Sequence, residues 1–124
     1  VRPDPMAATP PPAPHATVVL TTVGSEDAAE RLVRALLDER VIACGTLLPA
    51  ARSLYRWQGA IADEREVVLL LKTTPDRFPA LEDAVARHHP YDVPELLALP
   101  VAAGAAPYLA WLAAAVAPSP ADTP

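Results

Sequence analysis

The chain has 124 residues, 52% of them hydrophobic, but alanine inflates that share and only six side chains are aromatic (two Trp, three Tyr, one Phe). That is enough for one domain with one modest core, with further apolar surface expected to be buried by oligomerisation. A net charge of −5 with basic residues scattered singly, one cysteine (Cys44) and no apolar run near membrane-spanning length leave out a nucleic-acid footprint, an internal disulfide and a transmembrane helix.

Residues 1–16 carry Pro3, Pro5, Pro10, Pro11, Pro12 and Pro14 with no apolar h-region, so a disordered, partly polyproline-II tail is expected there rather than a signal peptide. A second disordered tail is expected over 117–124, leaving 17–116 as the domain. Thr17–Val23 is β-branched and apolar and reads as a strand. Gly24 turns the chain, and Ser25 is the expected N-cap of a helix running to about Arg40. Ala29, Leu32, Val33, Leu36 and Leu37 form its apolar stripe.

Val41–Leu48 and Ser53–Gln58 read as one long strand bent or bulged at Pro49, with Ser53, Tyr55 and Trp57 on one face. A turn is expected over Gly59–Glu64. Arg65–Thr73 then holds the continuous run Val67–Leu71, the pattern of a strand buried on both faces. A helix from about Asp76 to His89 has Pro79 in its first turn and Phe78, Leu81, Val85 and His88 on one face, which predicts a buried His88 and a partly buried His89. Glu95–Val101 reads as the last strand and Ala105–Val116 as a closing helix. The order βαββαβ plus one helix predicts an α+β, ferredoxin-like antiparallel sheet with both main helices on one face. Partner subunits and the added helix are the expected cover for the other face.

The densest chemistry lies in His88-His89-Pro90-Tyr91-Asp92-Val93-Pro94-Glu95. Imidazoles beside carboxylates suit metal or proton chemistry. Adjacent helical residues, however, diverge by about 100°, so His88 and His89 cannot chelate one ion while both stay helical. A structural or pocket-lining role and a metal site both stand at this point. Cys44 has no base or helix N-terminus nearby in sequence to activate it, so it reads as a small hydrophobe. Lys72 reads either as a snorkelling edge residue or as a holder of an anionic group. Tyr55 and Trp57 fit a subunit contact. There is no phosphate-binding glycine loop, CxxC, HExxH or nucleophile elbow.

Several blocks occur in a distinctive order: Val18-Val19-Leu20-Thr21-Thr22, Leu32 through Ala43-Cys44, Ser53-Leu54-Tyr55-Arg56-Trp57-Gln58-Gly59, Leu71-Lys72-Thr73 and His88-His89-Pro90-Tyr91. Pro94-Glu95-Leu96-Leu97-Ala98-Leu99-Pro100-Val101 and Tyr108-Leu109-Ala110-Trp111-Leu112 follow. Together they closely resemble the CutA family of divalent-cation tolerance proteins. The resemblance implies a tight trimer with sheets joined edge to edge, similar in architecture to the PII signalling proteins. It also implies copper tolerance, with copper held by a first-strand cysteine and two histidines. His88 and His89 match those histidines. Thr21 stands where the cysteine would be, and a threonine is not a soft thiolate ligand.

The leading expectation is a non-enzymatic, cytoplasmic homotrimer in the response to divalent metal ions, binding copper or a similar ion weakly through His88 and His89. No cofactor is required. The alternative is a PII-like small-molecule sensor or signalling scaffold, with its ligand in an intersubunit cleft near Tyr55, Trp57, Lys72, Tyr91 and Glu95. An enzyme using Cys44 or a histidine is the third reading and the weakest. Neither nucleic acid nor membrane is an expected partner.

Overall fold

The structure, a computed structural model, describes residues 15–118. The two expected tails lie outside those residues except at His15, Ala16, Ala117 and Pro118. Ala16, expected in the first tail, is buried with Ala43, Leu112 and Val116. Its carbonyl accepts the Val101 N–H at 3.1 Å.

Four strands, β1 (Thr17–Val23), β2 (Cys44–Trp57), β3 (Ala60–Thr73) and β4 (Leu97–Pro100), form one antiparallel sheet in the order β2-β3-β1-β4. Among the described residues three α-helices, α1 (Glu26–Asp38), α2 (Phe78–His88) and α3 (Ala106–Ala115), complete the α+β fold. Ser25 caps α1 as its residue type predicts, its Oγ accepting the Ala28 N–H at 3.1 Å. At the other end Arg40 adopts a left-handed φ of 57°. Its N–H goes to Leu37 O and that of Val41 to Leu36 O, which closes the helix as a Schellman motif. Leu37, expected in the buried stripe, is exposed. The start of α2 also differs from expectation: Pro75–Arg77 is a 3₁₀ turn, and the α-helix begins at Phe78 with Pro79 still in its first turn.

The core lies between one sheet face and the pair α1 and α2. Val19, Val23, Val67, Leu69 and Leu71 meet Ala29, Leu32, Val33, Leu36, Leu81 and Val85. Gly45 lies where β2 passes α1, and a Cβ there would meet Val33 Cγ1 at 2.9 Å, so glycine sets that approach. The expectation of burial on both faces of the Val67–Leu71 run is corrected. Val67, Leu69 and Leu71 are buried, but Val68 and Leu70 point to the other face and are only half-buried. On that open face Leu48, Leu97 and Leu99 are exposed, and α3 covers only the end near Cys44, whose Sγ lies 3.8 Å from Tyr108 Oη.

The long strand β2 carries the feature that positions the site. Leu48 pairs with Val68 and Ala51 with Glu66, so β2 spends one residue more than β3 at Pro49-Ala50. Ala50 takes φ 61°, the left-handed conformation of a bulge. The extra residue reverses the alternation. Cys44, Thr46 and Leu48 share the open face before the bulge, and Ser53, Tyr55 and Trp57 share it afterwards. The expected bulge at Pro49 is present. The expected turn over Gly59–Glu64 is not: the hairpin closes at Gln58-Gly59, with φ of 49° and 81°, and β3 starts at Ala60.

Candidate functional site

His89 is the first C-terminal residue outside α2, with extended backbone (φ −73°, ψ 137°), because the residue before a proline is driven out of the helical region. Its ring therefore leaves the helical track, and the expected burial is reversed: His89 is buried and His88 is exposed. The Tyr91 N–H donates to His89 Nδ1 at 3.0 Å, so that nitrogen carries no proton. The Nε2–H then donates to Thr22 O at 2.9 Å, with Thr21 Oγ1 3.3 Å away. Burial holds the imidazole below its usual range of protonation, against the opposing pull of the Thr22 carbonyl and Glu66.

His88 turns to another partner set. Its Nε2 meets Glu39 Oε2, and Arg87 grips the same carboxylate through Nη1 (3.1 Å) and Nη2 (2.6 Å). Hydrogen bonds from Arg87 first, then His88, hold the Glu39 carboxyl down at about 2. This triad ties the end of α2 to the end of α1.

Thr21 thus does stand beside one histidine, in the place where the family resemblance puts a cysteine. The set nonetheless does not fit a copper site as arranged. Both His89 nitrogens are engaged, Thr21 offers a hydroxyl for a thiolate, and His88 faces Glu39. Among the described residues no three His, Cys, Asp or Glu side chains group closely enough to hold a metal ion.

The second region is a cleft of about 920 Å³ on the open face. It is walled by the β2–β3 hairpin, Thr22 at the end of β1, and the segment 91–95. Tyr55, Trp57, Tyr91 and Glu95, all expected at such a cleft, line it together. Lys72 does not. It lies six residues along β3 from Glu66, roughly 20 Å at strand rise, and its Nζ donates to Thr46 Oγ1 at 2.7 Å. The cleft instead gathers carboxylates that the sequence pattern alone does not assign to it: Glu64, Glu66 and Asp92 beside Glu95. None of the lining residues is basic.

Glu66 stands apart from the other three. It is 8% exposed, and its Oε2 is buried without a hydrogen-bond partner. Desolvation, reinforced by Glu66 and Glu64, pushes the Tyr91 phenol upward, and desolvation with Glu64 does the same at Tyr55. Glu64 is legible only as part of a β3 that begins at Ala60. Alternation from the buried Val67 places Glu66 and Glu64 opposite the core.

Comparison with known proteins fits this geometry. A family profile described as "CutA1 divalent ion tolerance protein" matches residues 17–115. The divalent-cation tolerance protein CutA of Thermus thermophilus is 48% identical over 95 residues, 77% of this chain and 92% of that protein. The protein of the same name from Salmonella newport is 48% identical over 103 residues, 83% of this chain and 90% of its own. Among solved structures, the Thermus thermophilus protein superposes with a TM-score of 0.77 at 46% identity, covering 80% of this chain and 96% of that one. Oryza sativa CutA1 reaches 0.82 at 36% identity, covering 86% and 97%. The chain belongs to the CutA1 divalent ion tolerance family.

Proposed function

We propose that this chain is a non-enzymatic, cytoplasmic homotrimer in the response to divalent metal ions. The observation that carries the reading is the match to the divalent ion tolerance family over residues 17–115. Copper binds weakly, and only by drawing His88 away from Glu39, because Thr21 withholds the thiolate and His89 is held by Thr22 and Tyr91. Thr21→Cys tests this directly, since it restores a soft ligand beside His89. In calorimetric titration with copper, Thr21→Cys is expected to bind at least about tenfold more tightly than the wild type, a gain of about 1.4 kcal/mol. His88→Ala/His89→Ala should abolish the residual wild-type signal. Equal affinities in all three proteins sink the reading.

A second reading is favoured by the cleft. Its size lies within the roughly 300–1,000 Å³ of small-molecule sites, and its three aromatic rings and converging polar groups suit a bound ligand. On that reading the protein is a PII-like small-molecule sensor or scaffold. Tyr55, Trp57, Tyr91 and Glu95 line the ligand, and Lys72 reaches it only from a neighbouring subunit.

A further inference from the structure

We infer that the cleft takes a small organic ammonium ion, with the Glu66 carboxylate as its counter-ion and the Tyr55, Trp57 and Tyr91 rings as its walls. The inference rests on the ligand-cleft reading and narrows it to one chemical class.

Charge decides the sign of the ligand. Four carboxylates and no basic side chain line the cleft, so an anion would meet repulsion from every ionised wall. Glu66 decides that the ligand is more than a loosely held counter-ion. A buried carboxylate oxygen without a donor is costly, and it is the kind of group a ligand N–H satisfies. The Tyr91 phenol, which interacts with Glu66, brings no charge, and the chain's nearby cations do not serve it. Arg52 is bound to Asp63, and Lys72 to Thr46. Arg65, one residue before Glu66 on β3, points to the opposite sheet face by alternation.

The spacing of the acids decides against a bare metal ion. Calcium or magnesium needs about six oxygens converging on one point, but among the described residues no three acidic groups converge. The rings supply what an organic cation uses instead: an ammonium over the face of a Trp or Tyr is attracted by the ring quadrupole, more strongly when desolvated. A primary amine also donates the N–H that Glu66 Oε2 lacks. A quaternary ammonium brings the charge without the donor.

The test uses the full chain and four probes in calorimetric titration: putrescine, tetramethylammonium, and two linear four-carbon molecules without positive charge, 1,4-butanediol and succinate. Putrescine is expected to saturate one site per chain, tetramethylammonium to bind more weakly, and the other two not at all. Glu66→Gln should weaken putrescine at least about tenfold and Trp57→Leu about threefold, each with an unchanged far-UV circular dichroism spectrum. Should Glu66→Gln fail to fold, the exposed Trp57 carries the same test. Putrescine binding that is indifferent to both substitutions overturns the inference. Binding of succinate or butanediol but not putrescine overturns the ammonium assignment while leaving a ligand cleft standing, and silence from all four removes both. Tighter putrescine binding by Lys72→Met also overturns it, because a lysine from a second copy would then be the resident cation.

Discussion

His89 is held by three neighbours that together specify one tautomer, the neutral ring with its proton on Nε2. Protonating it would place a second proton on Nδ1, against the Tyr91 N–H that donates there. Its folded pKa lies below the ordinary 6.5, chiefly through burial. The unfolded chain therefore takes up the proton first as pH falls. The stability His89 contributes is complete above pH 6.5 and declines as pH drops from there toward the lowered folded value. Glu39 acts in a separate window. Its carboxyl is held at about 2 by Arg87 and His88, so its contribution persists above the ordinary value of 4.5 and is lost between there and about 2. Because the Glu39 site is partly solvent-screened, that contribution is about 1 kcal/mol or less. His89→Gln is expected to cost about 1–3 kcal/mol at pH 7.5, from broken buried hydrogen bonds. It should also flatten the fall in stability between pH 6.5 and 5. Denaturant titrations at pH 5, 6 and 7.5 measure both effects; a slope as steep as that of the wild type would mean that another group titrates there.

At the scale of elements, β2 shows how one residue can decide which face a site occupies. Strand side chains alternate, so the extra residue at Pro49-Ala50 moves Tyr55 and Trp57 to the open face, alongside Glu64 and Glu66. Deleting Ala50 removes the bulge, and two outcomes compete. Either the tip of the hairpin slips its register, or Tyr55 and Trp57 rotate to the helix side and the cleft loses two walls. Both predict loss of the tryptophan fluorescence response to any cleft ligand, while far-UV circular dichroism stays close to wild type. An unchanged response would show that the bulge does not set the face. The same strand shows what can be read from sequence and what cannot. Pro49 announces the bulge because proline cannot donate to a ladder. Gln58 gives no such notice. Its φ of 49° is a conformation that glutamine rarely adopts, so the residue pattern places the turn later, and Glu64 with it. Glu66 falls within the expected strand but has no legible role, because the cleft it lines forms only where the 91–95 segment comes against the sheet. His89 escapes sequence reasoning for a related reason. A helical wheel that includes it runs one residue too far, past the point where Pro90 forces the backbone out of the helix.

For the whole molecule, the local pattern makes the βαββαβ order and the helix-facing core legible, since each strand and helix presents its own apolar stripe. The proposed assembly is not written in any one stripe; it rests on what the folded chain leaves uncovered. Leu48, Leu97 and Leu99 are 45%, 54% and 50% exposed on one continuous face, flanked by half-buried Val68 and Leu70. Apolar surface gathered on one side in this way marks an interface. Both sheet edges, β2 and β4, are also open to pairing. A trimer joined edge to edge would satisfy both features, burying the leucines and pairing the free strand edges. Leu97→Glu/Leu99→Glu separates assembly from folding. Each side chain is already half in water in the single chain, so the isolated fold should lose only about 0.5 kcal/mol per site. An interface forced to bury two unpaired carboxylates would lose several. Sedimentation equilibrium at micromolar concentration is expected to give the wild type a mass about three times the 13.1 kDa of one chain, and the double variant the mass of one. A wild type that sediments as a single chain removes the trimer, and a double variant that stays trimeric places the contact away from β4.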